Sequence, residues 1–315
     1  MIKQLLYGLL FFAFIDIFIC RMLLNFGFVF FNEEETIQRY SVPYIEFTAK
    51  PNIKDHNQFG YRGKGIESIS DSTYNILFFA GSTGYYGDTT LPQFIELELN
   101  NSNNKKFNIM NCCVVSSNHN QHLHALLEQF LLTKIDMVIF YGGYNELISP
   151  LLYDPRPGYP FNFYYKNECN KILLVLIKYS AILGEIEKRH YAISGLKWFR
   201  QKYIKAHPNW FEDIKSNYIN TLKKTNTLVT YTQLNLNNHA TQFIAIQQPY
   251  IVPKNFRTTN NKVIKEIEAL NYGYNISNVF KDQNKYFVDD IHLNNNGNKI
   301  VAKEIRKIIL SNFTK

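Results

Sequence analysis

Apolar positions follow two different rhythms along this chain. Leu5 to Cys20 reads LLYGLLFFAFIDIFIC, almost unbroken, and Met22 to Phe31 is a second apolar stretch after Arg21. From residue 75 onward, short apolar runs alternate with amphipathic stretches. Asn75–Ala80 (NILFFA), Phe107–Asn111, Ile135–Tyr141 (IDMVIFY) and Phe243–Gln247 (FIAIQ) have the length and composition of buried strands. Residues 91–100, 122–132 and 298–312 have helical spacing. Leu123, Leu126, Leu127 and Phe130 share one helix face; Val301, Ile305, Ile308 and Ile309 share another. Strands separated by helices predict an α/β fold, a doubly wound three-layer sandwich around a parallel central sheet. Residues 1–35 read as an N-terminal anchor, 36–70 as a lead-in segment, and 71–315 as the α/β domain. A helical insertion over about 150–235 interrupts the alternation. It holds the loop DPRPGYP (154–160) and two expected helices, and reads either as a substrate wall or as a surface subdomain.

The first stretch has the character of a transmembrane helix. Eleven of residues 5–20 are Leu, Ile or Phe. At about −0.3 to −0.6 kcal/mol each, they outweigh the roughly +3 kcal/mol expected for Asp16 at mid-membrane. Arg21 can snorkel from one end, and residues 5–31 are long enough to span a bilayer. The run lacks the small-residue cleavage site of a secretory signal, and Ile19 before Cys20 argues against a lipoprotein signal. Lys3 precedes the span and Glu33–Glu35 follow it, so the charge bias predicts a single-pass protein with its N-terminus in the cytoplasm and the rest of the chain outside.

Composition narrows the remaining classes. With 46% hydrophobic and 19% charged residues, the chain is not intrinsically disordered. Four cysteines are too few for a disulfide scaffold at this length. The net charge of +8 comes from scattered residues whose densest clusters, Lys105-Lys106 and Lys223-Lys224, are only pairs. No nucleic-acid motif accompanies them, so a nucleic-acid partner is not expected.

Chemistry gathers where the strands end. After the first strand comes Gly81-Ser82-Thr83-Gly84, and after the second Cys112-Cys113-Val114-Val115-Ser116-Ser117. After the third comes Gly142-Gly143-Tyr144-Asn145, and before the last helix Asp289-Asp290-Ile291-His292. Sites in open α/β sheets form beyond the carboxyl ends of the strands. A serine, an asparagine and an Asp/His pair on one edge make up an acyl-transfer set of nucleophile, base, orienter and oxyanion donor. These segments resemble the SGNH hydrolase superfamily, the GDSL-type esterases, over most of residues 75–312. The resemblance implies an SGNH or flavodoxin-like sandwich, with Ser82 as nucleophile and Asn145 as an oxyanion donor from Gly143-Tyr144-Asn145. Asp289 and His292 match the family's Asp-x-x-His block. Three positions depart from the family pattern: Gly81 stands where an Asp is usual, Glu146 where an Asp is common, and Ser116 where a glycine is expected. Pro51-Asn52 and Asn57–Gly63 are similar to the lead-in of membrane-anchored bacterial members.

The roles also follow from chemistry. Ser82 sits between glycines at a strand-to-helix turn, and His292 is its candidate base. Asp289, three residues before His292, can reach the ring's Nδ1–H within one turn; Asp290 is the rival orienter. The N–H groups of Ser82 and Ser116 would complete an oxyanion hole with the Asn145 amide. His119, His122 and His124 raise a metal reading that the i, i+2 spacing of the last two does not favour. Cys112 and Cys113 fit small buried apolar residues. Tyr85, Tyr86 and Tyr144 either stack on a sugar ring or pack the rim. The expectation is a cofactor-free and metal-free serine esterase on a small acyl ester, an O-acetyl group on an envelope glycan. An O-acyltransferase with the same triad and a non-catalytic binding protein on this scaffold are the alternatives.

Overall fold

The computed structural model describes residues 2–20, 40–101, 105–152, 180–182, 203–237, 240–280 and 283–313. Contacts divide the chain into two compact units: residues 1–36 with 150–210, and residues 37–149 with 211–315. In the first unit, α1 (Ile2–Phe14) continues into a π-helical segment, Ile15–Cys20. Lys3–Cys20 is an 18-residue helix of mean hydropathy 1.8, long and apolar enough to cross a membrane. At 1.5 Å per residue it measures about 27 Å, close to a hydrocarbon core of about 30 Å. Its Leu and Phe side chains are exposed, whereas Asp16 is buried. The Asp16 carboxylate accepts the Ile182 N–H at 2.9 Å and the Ser180 hydroxyl. Arg21, the stretch Met22–Phe31, Glu33–Glu35 and the 154–160 loop lie outside the described residues, as does much of the insertion.

The second unit is built on a sheet. A short antiparallel pair, β1 (Tyr40–Val42) and β2 (Glu46–Thr48), precedes it. The five parallel strands are β3 (Tyr74–Ala80), β4 (Phe107–Asn111), β5 (Met137–Gly142), β6 (Gln242–Gln247) and β7 (Gly273–Asn275), in the spatial order β4-β3-β5-β6-β7. Phe78 of β3 stands level with Asn111 of β4 and Ile139 of β5. Four of the strands lie where the apolar runs predict them; β7 is an addition. Every residue of β4 and β5 is buried, as a parallel sheet covered on both faces requires.

Helices cover both faces, giving the expected three layers. On one side Ile76, Phe78 and Ala80 of β3 pack with α3 (Leu91–Asn100), through Leu91, Ile95 and Leu99. The same cluster takes Val301, Ile305 and Ile309 of α7 (Asn295–Phe313). On the other side Phe79 meets His122 of α4 (His119–Ala125) at 5.7 Å and Phe130 at 6.1 Å. His119 meets Tyr218 of α5 (Trp210–Asn237) at 5.5 Å, and α6 (Arg257–Glu268) packs on β6 and β7. The strand order reverses at β3, with β4 on one side and β5 on the other. That reversal opens a crevice at the carboxyl ends of β3 and β5.

The stretch before β3 is knitted into this unit. Asn57 Oδ1 accepts the N–H groups of Phe59 (2.9 Å) and Tyr61 (3.1 Å), closing a tight loop. Arg62 donates to the carbonyls of Tyr85 (2.7 Å), the last residue of the short helix α2 (Ser82–Tyr85), and of Gly87 (2.8 Å), just beyond it. A ring nitrogen of His56 meets the Tyr85 hydroxyl at 2.8 Å. This segment therefore braces the turn that carries Ser82.

Candidate active site

Ser82 is the first residue of α2, two residues past the end of β3, and is nearly buried at 8% exposure. Helix geometry leaves the N–H of such a residue without an intrahelical partner. Gly81 makes the turn possible for a steric reason: a Cβ on it would stand 2.4 Å from the Asn145 side-chain nitrogen. The Asn145 amide thus lies directly against the backbone beside Ser82. A side chain at position 81 would require the Asn145 amide to shift.

His292 reaches Ser82 from the loop before α7. Its Nε2 lies 2.8 Å from Ser82 Oγ, and its Nδ1 lies 2.6 Å from Asp289 Oδ2. The other Asp289 oxygen accepts the backbone N–H groups of Ile291 (2.8 Å) and His292 (2.7 Å), so one carboxylate shapes the loop and holds the ring. Asp290 takes a different place. Its carbonyl accepts the Ile251 N–H, and the Asp289 carboxylate is the one that meets His292. Partial burial pushes the Asp289 carboxyl up, but the backbone N–H and ring of His292, with the Ile291 N–H, outweigh it and hold the group below its usual value. Asp289 is therefore an acceptor at neutral pH, and with its bond to Nδ1–H the imidazole turns a bare Nε2 toward the hydroxyl.

The candidate oxyanion donors lie on two loops. Asn145 donates one amide hydrogen to the Ser117 carbonyl at 2.8 Å, leaving the second available. Ser116 adopts φ +64, in the left-handed region that favours glycine. The glycine expected here therefore has a backbone reason, and this chain meets it with a serine. Among the described residues, the Ser116 N–H has no backbone partner. A small cleft of about 80 Å³ borders Ser82 and His292, lined also by Thr83, Tyr86, Asn295 and Asn298. The Tyr86 ring stands edge-on to His292 at 5.5 Å.

Beneath these loops lies a buried polar cluster that composition does not announce. The Glu146 carboxylate accepts the Gly143 N–H at 2.6 Å and the His119 N–H at 2.9 Å, with 6% of its side chain exposed. The Nδ1 atoms of His119 and His122 are 3.1 Å apart, and His122 Nε2 is 2.7 Å from Ser117 Oγ. The two rings bond each other, and among the described residues no group of three His, Cys, Asp or Glu is placed to hold a metal. His124 points elsewhere, to the Tyr44 carbonyl. The legible signal is the i, i+3 spacing of His119 and His122 behind Asn118, whose side chain caps α4 by accepting from Asn120 and Gln121. Cys112 and Cys113 are fully buried and free, and burial pushes both thiols well up. Neither is a ready nucleophile.

Burial pushes the Glu146 carboxyl from 4.5 up to about 7, against the pull of the Gly143, Glu146 and His119 N–H groups, and lowers His119 to about 3. A carboxyl raised in the folded state stabilises the fold while protonated and loses that contribution as pH climbs through its folded value. Wild type should therefore lose stability relative to Glu146→Gln between pH 4.5 and about 7. The limiting difference is about 3 kcal/mol, at about 1.4 kcal/mol per pH unit. Denaturant unfolding of both proteins at pH 5 and pH 8 measures it; parallel pH dependences would refute the assignment.

No protein-family model matches this chain, and no curated protein does. Solved structures with a similar arrangement include the acetyl xylan esterase AlAXEase (10% identity, 75% of this chain and 99% of that one, TM-score 0.44). Axe2, an acetylxylan esterase from Geobacillus stearothermophilus, is 13% identical over 75% of this chain and 94% of its own, with TM-score 0.44. The lipase/acylhydrolase from Enterococcus faecalis is 12% identical over 75% and 95%, with TM-score 0.42. At such scores, activity has to be argued from the site itself.

Proposed function

We propose that this chain is a membrane-anchored serine esterase that removes short acyl groups, acetyl foremost, from an envelope glycan. The observation that carries the reading is the unbroken chain Ser82–His292–Asp289, with contacts of 2.8 and 2.6 Å between residues from two segments far apart in the sequence. Ser82 Oγ attacks the acyl carbonyl carbon while His292 Nε2 takes its proton. The negative charge forming on the carbonyl oxygen is met by the Asn145 amide and the N–H groups of Ser82 and Ser116. Collapse of this intermediate breaks the ester bond, and His292 hands the proton to the departing alcohol. Water then attacks the acyl-serine by the same route, releasing the acid and restoring Ser82. The serine at position 116, where glycine would leave more room, supports a short acyl group. The apolar helix Lys3–Cys20 supports anchoring, and the acidic run after it supports an outward-facing site. The glycan rests on that placement and on the SGNH resemblance.

Ser82→Ala and His292→Ala should each lower kcat on a short aryl or alkyl ester by about 10³-fold or more. Asp289→Asn should fall steeply as well, because it fixes the wrong tautomer, whereas Asp290→Asn should stay near wild type. Equal losses at Asp289 and Asp290 would undo the assignment of the orienter, and a fully active Ser82→Ala would end the serine mechanism.

Ser116→Gly should retain acetyl hydrolysis and broaden the range of acyl lengths, measured as kcat/KM on acetyl, butyryl and octanoyl esters. Removing a Cβ from a left-handed residue should also stabilise the fold by about 1 kcal/mol. An unchanged chain-length profile would separate residue 116 from the acyl pocket.

The full-length protein should remain with membranes after high-salt and alkaline washing, and a variant lacking residues 1–31 should leave them. Recovery of the full-length chain in the soluble fraction without detergent would overturn the anchor.

A further inference from the structure

We propose that His119, His122 and Glu146, buried side chains that touch no reacting atom, are positioning residues that lock the two oxyanion loops to each other. This rests on the esterase reading of the site. The need for such a lock follows from the sheet. One donor loop, Val114–Asn118, leaves β4, and the other, Gly142–Glu146, leaves β5. These strands are not neighbours: β3 lies between them and pairs with both. At about 4.8 Å per strand the two loops start roughly 10 Å apart, with no ladder hydrogen bond joining them. Each loop also holds a left-handed residue, Ser116 at φ +64 and Gly143 at φ +121. Such conformations persist only where the surroundings over-determine them.

The buried cluster closes that gap in both directions. Asn145 donates across to the Ser117 carbonyl, and Ser117 Oγ meets His122, which meets His119, whose backbone N–H and Nδ1 both face Glu146. Glu146 returns to its own loop by accepting the Gly143 N–H. The proton positions follow from counting donors. Ser117 Oγ gives its hydrogen to the Val114 carbonyl at 2.8 Å, so His122 must donate from Nε2. Its Nδ1 is then a bare acceptor, and His119 Nδ1–H points at it and at Glu146 Oε1, 3.2 Å away. That leaves His119 Nε2, a buried atom with no partner, as a bare lone pair. The reverse order would bury an orphaned N–H there and take the ring hydrogen away from Glu146, which is the costlier arrangement. The donors therefore run outward from His119: through His122 and Ser117 to the Val114 carbonyl on one side, and directly onto the Glu146 carboxylate on the other.

The test uses full-length protein in detergent micelles and a short acetyl ester. Glu146→Gln places an amide N–H against the Gly143 or His119 N–H, so kcat should fall about 10- to 100-fold with KM within about threefold. This variant is expected to be at least as stable as wild type at pH 8, so the loss is not unfolding. His122→Gln keeps a donor for Ser117 Oγ and should retain at least about tenfold more kcat than His122→Phe. Ser117→Ala, a milder change, should fall between wild type and Glu146→Gln. Amide hydrogen exchange supplies a readout independent of turnover: in Glu146→Gln, segments 113–118 and 142–147 should both exchange faster. Unchanged kcat in Glu146→Gln, a rise in KM at constant kcat, or faster exchange in one segment alone would overturn the lock. A Ser82→Ala variant that stays active would defeat the esterase reading, while the exchange data would still decide whether the two loops are coupled.

Discussion

In a parallel sheet with helices on both faces, every backbone group inside is committed to the ladder and every side chain to packing. Polar chemistry is driven to the ends of the strands, and here to the end where the order reverses at β3. That constraint explains why Ser82, Asn145 and the His292 loop share one edge although they come from segments more than two hundred residues apart. It also explains the economy of the turn after β3. With Phe78, Phe79 and Ala80 buried to the last residue of the strand, the chain has one position, Gly81, in which to change direction. The Asn145 amide occupies the space a side chain would need there. Ser82 and the Asn145 amide thus approach each other across a position that carries no Cβ.

How legible the molecule is depends on how local each signal is. The strands over 74–80, 107–111, 137–142 and 242–247 announce themselves because full burial demands continuous apolar runs. β7 does not: Gly273–Asn275 is three half-buried residues with no apolar run, recruited by pairing with β6. The Asp289–His292 pair is readable because one turn of chain sets its geometry. The left-handed backbone of Ser116 is not, since a serine gives no warning of a conformation that glycine normally marks. The His119–His122–Glu146 cluster is half legible. The i, i+3 spacing is visible on the helix, but the partner lies on another strand's loop, and only the fold brings the two together.

Ser116 and Glu146 show the same tension from opposite sides. A serine in the left-handed region carries strain of about 1–2 kcal/mol relative to glycine. A buried carboxylate raised to about 7 destabilises the charged fold at neutral pH. Neither feature helps the protein stay folded. Both sit on the loops that present candidate donors to Ser82, and strain and buried charge concentrate where a site must be held in one arrangement.

The direction of the buried donor chain gives that tension a physical purpose. His119 turns both its backbone N–H and its Nδ1–H toward position 146, so the group there must accept without donating. A carboxylate is the side chain that does so. Glutamine or a protonated acid would leave two hydrogens facing each other at Gly143 or His119, and the loops would relax apart. A less stable, ionised Glu146 is therefore the form that, on this proposal, sets the spacing between the candidate donors Ser116 and Asn145, and the loops take their geometry from the state that the fold tolerates least.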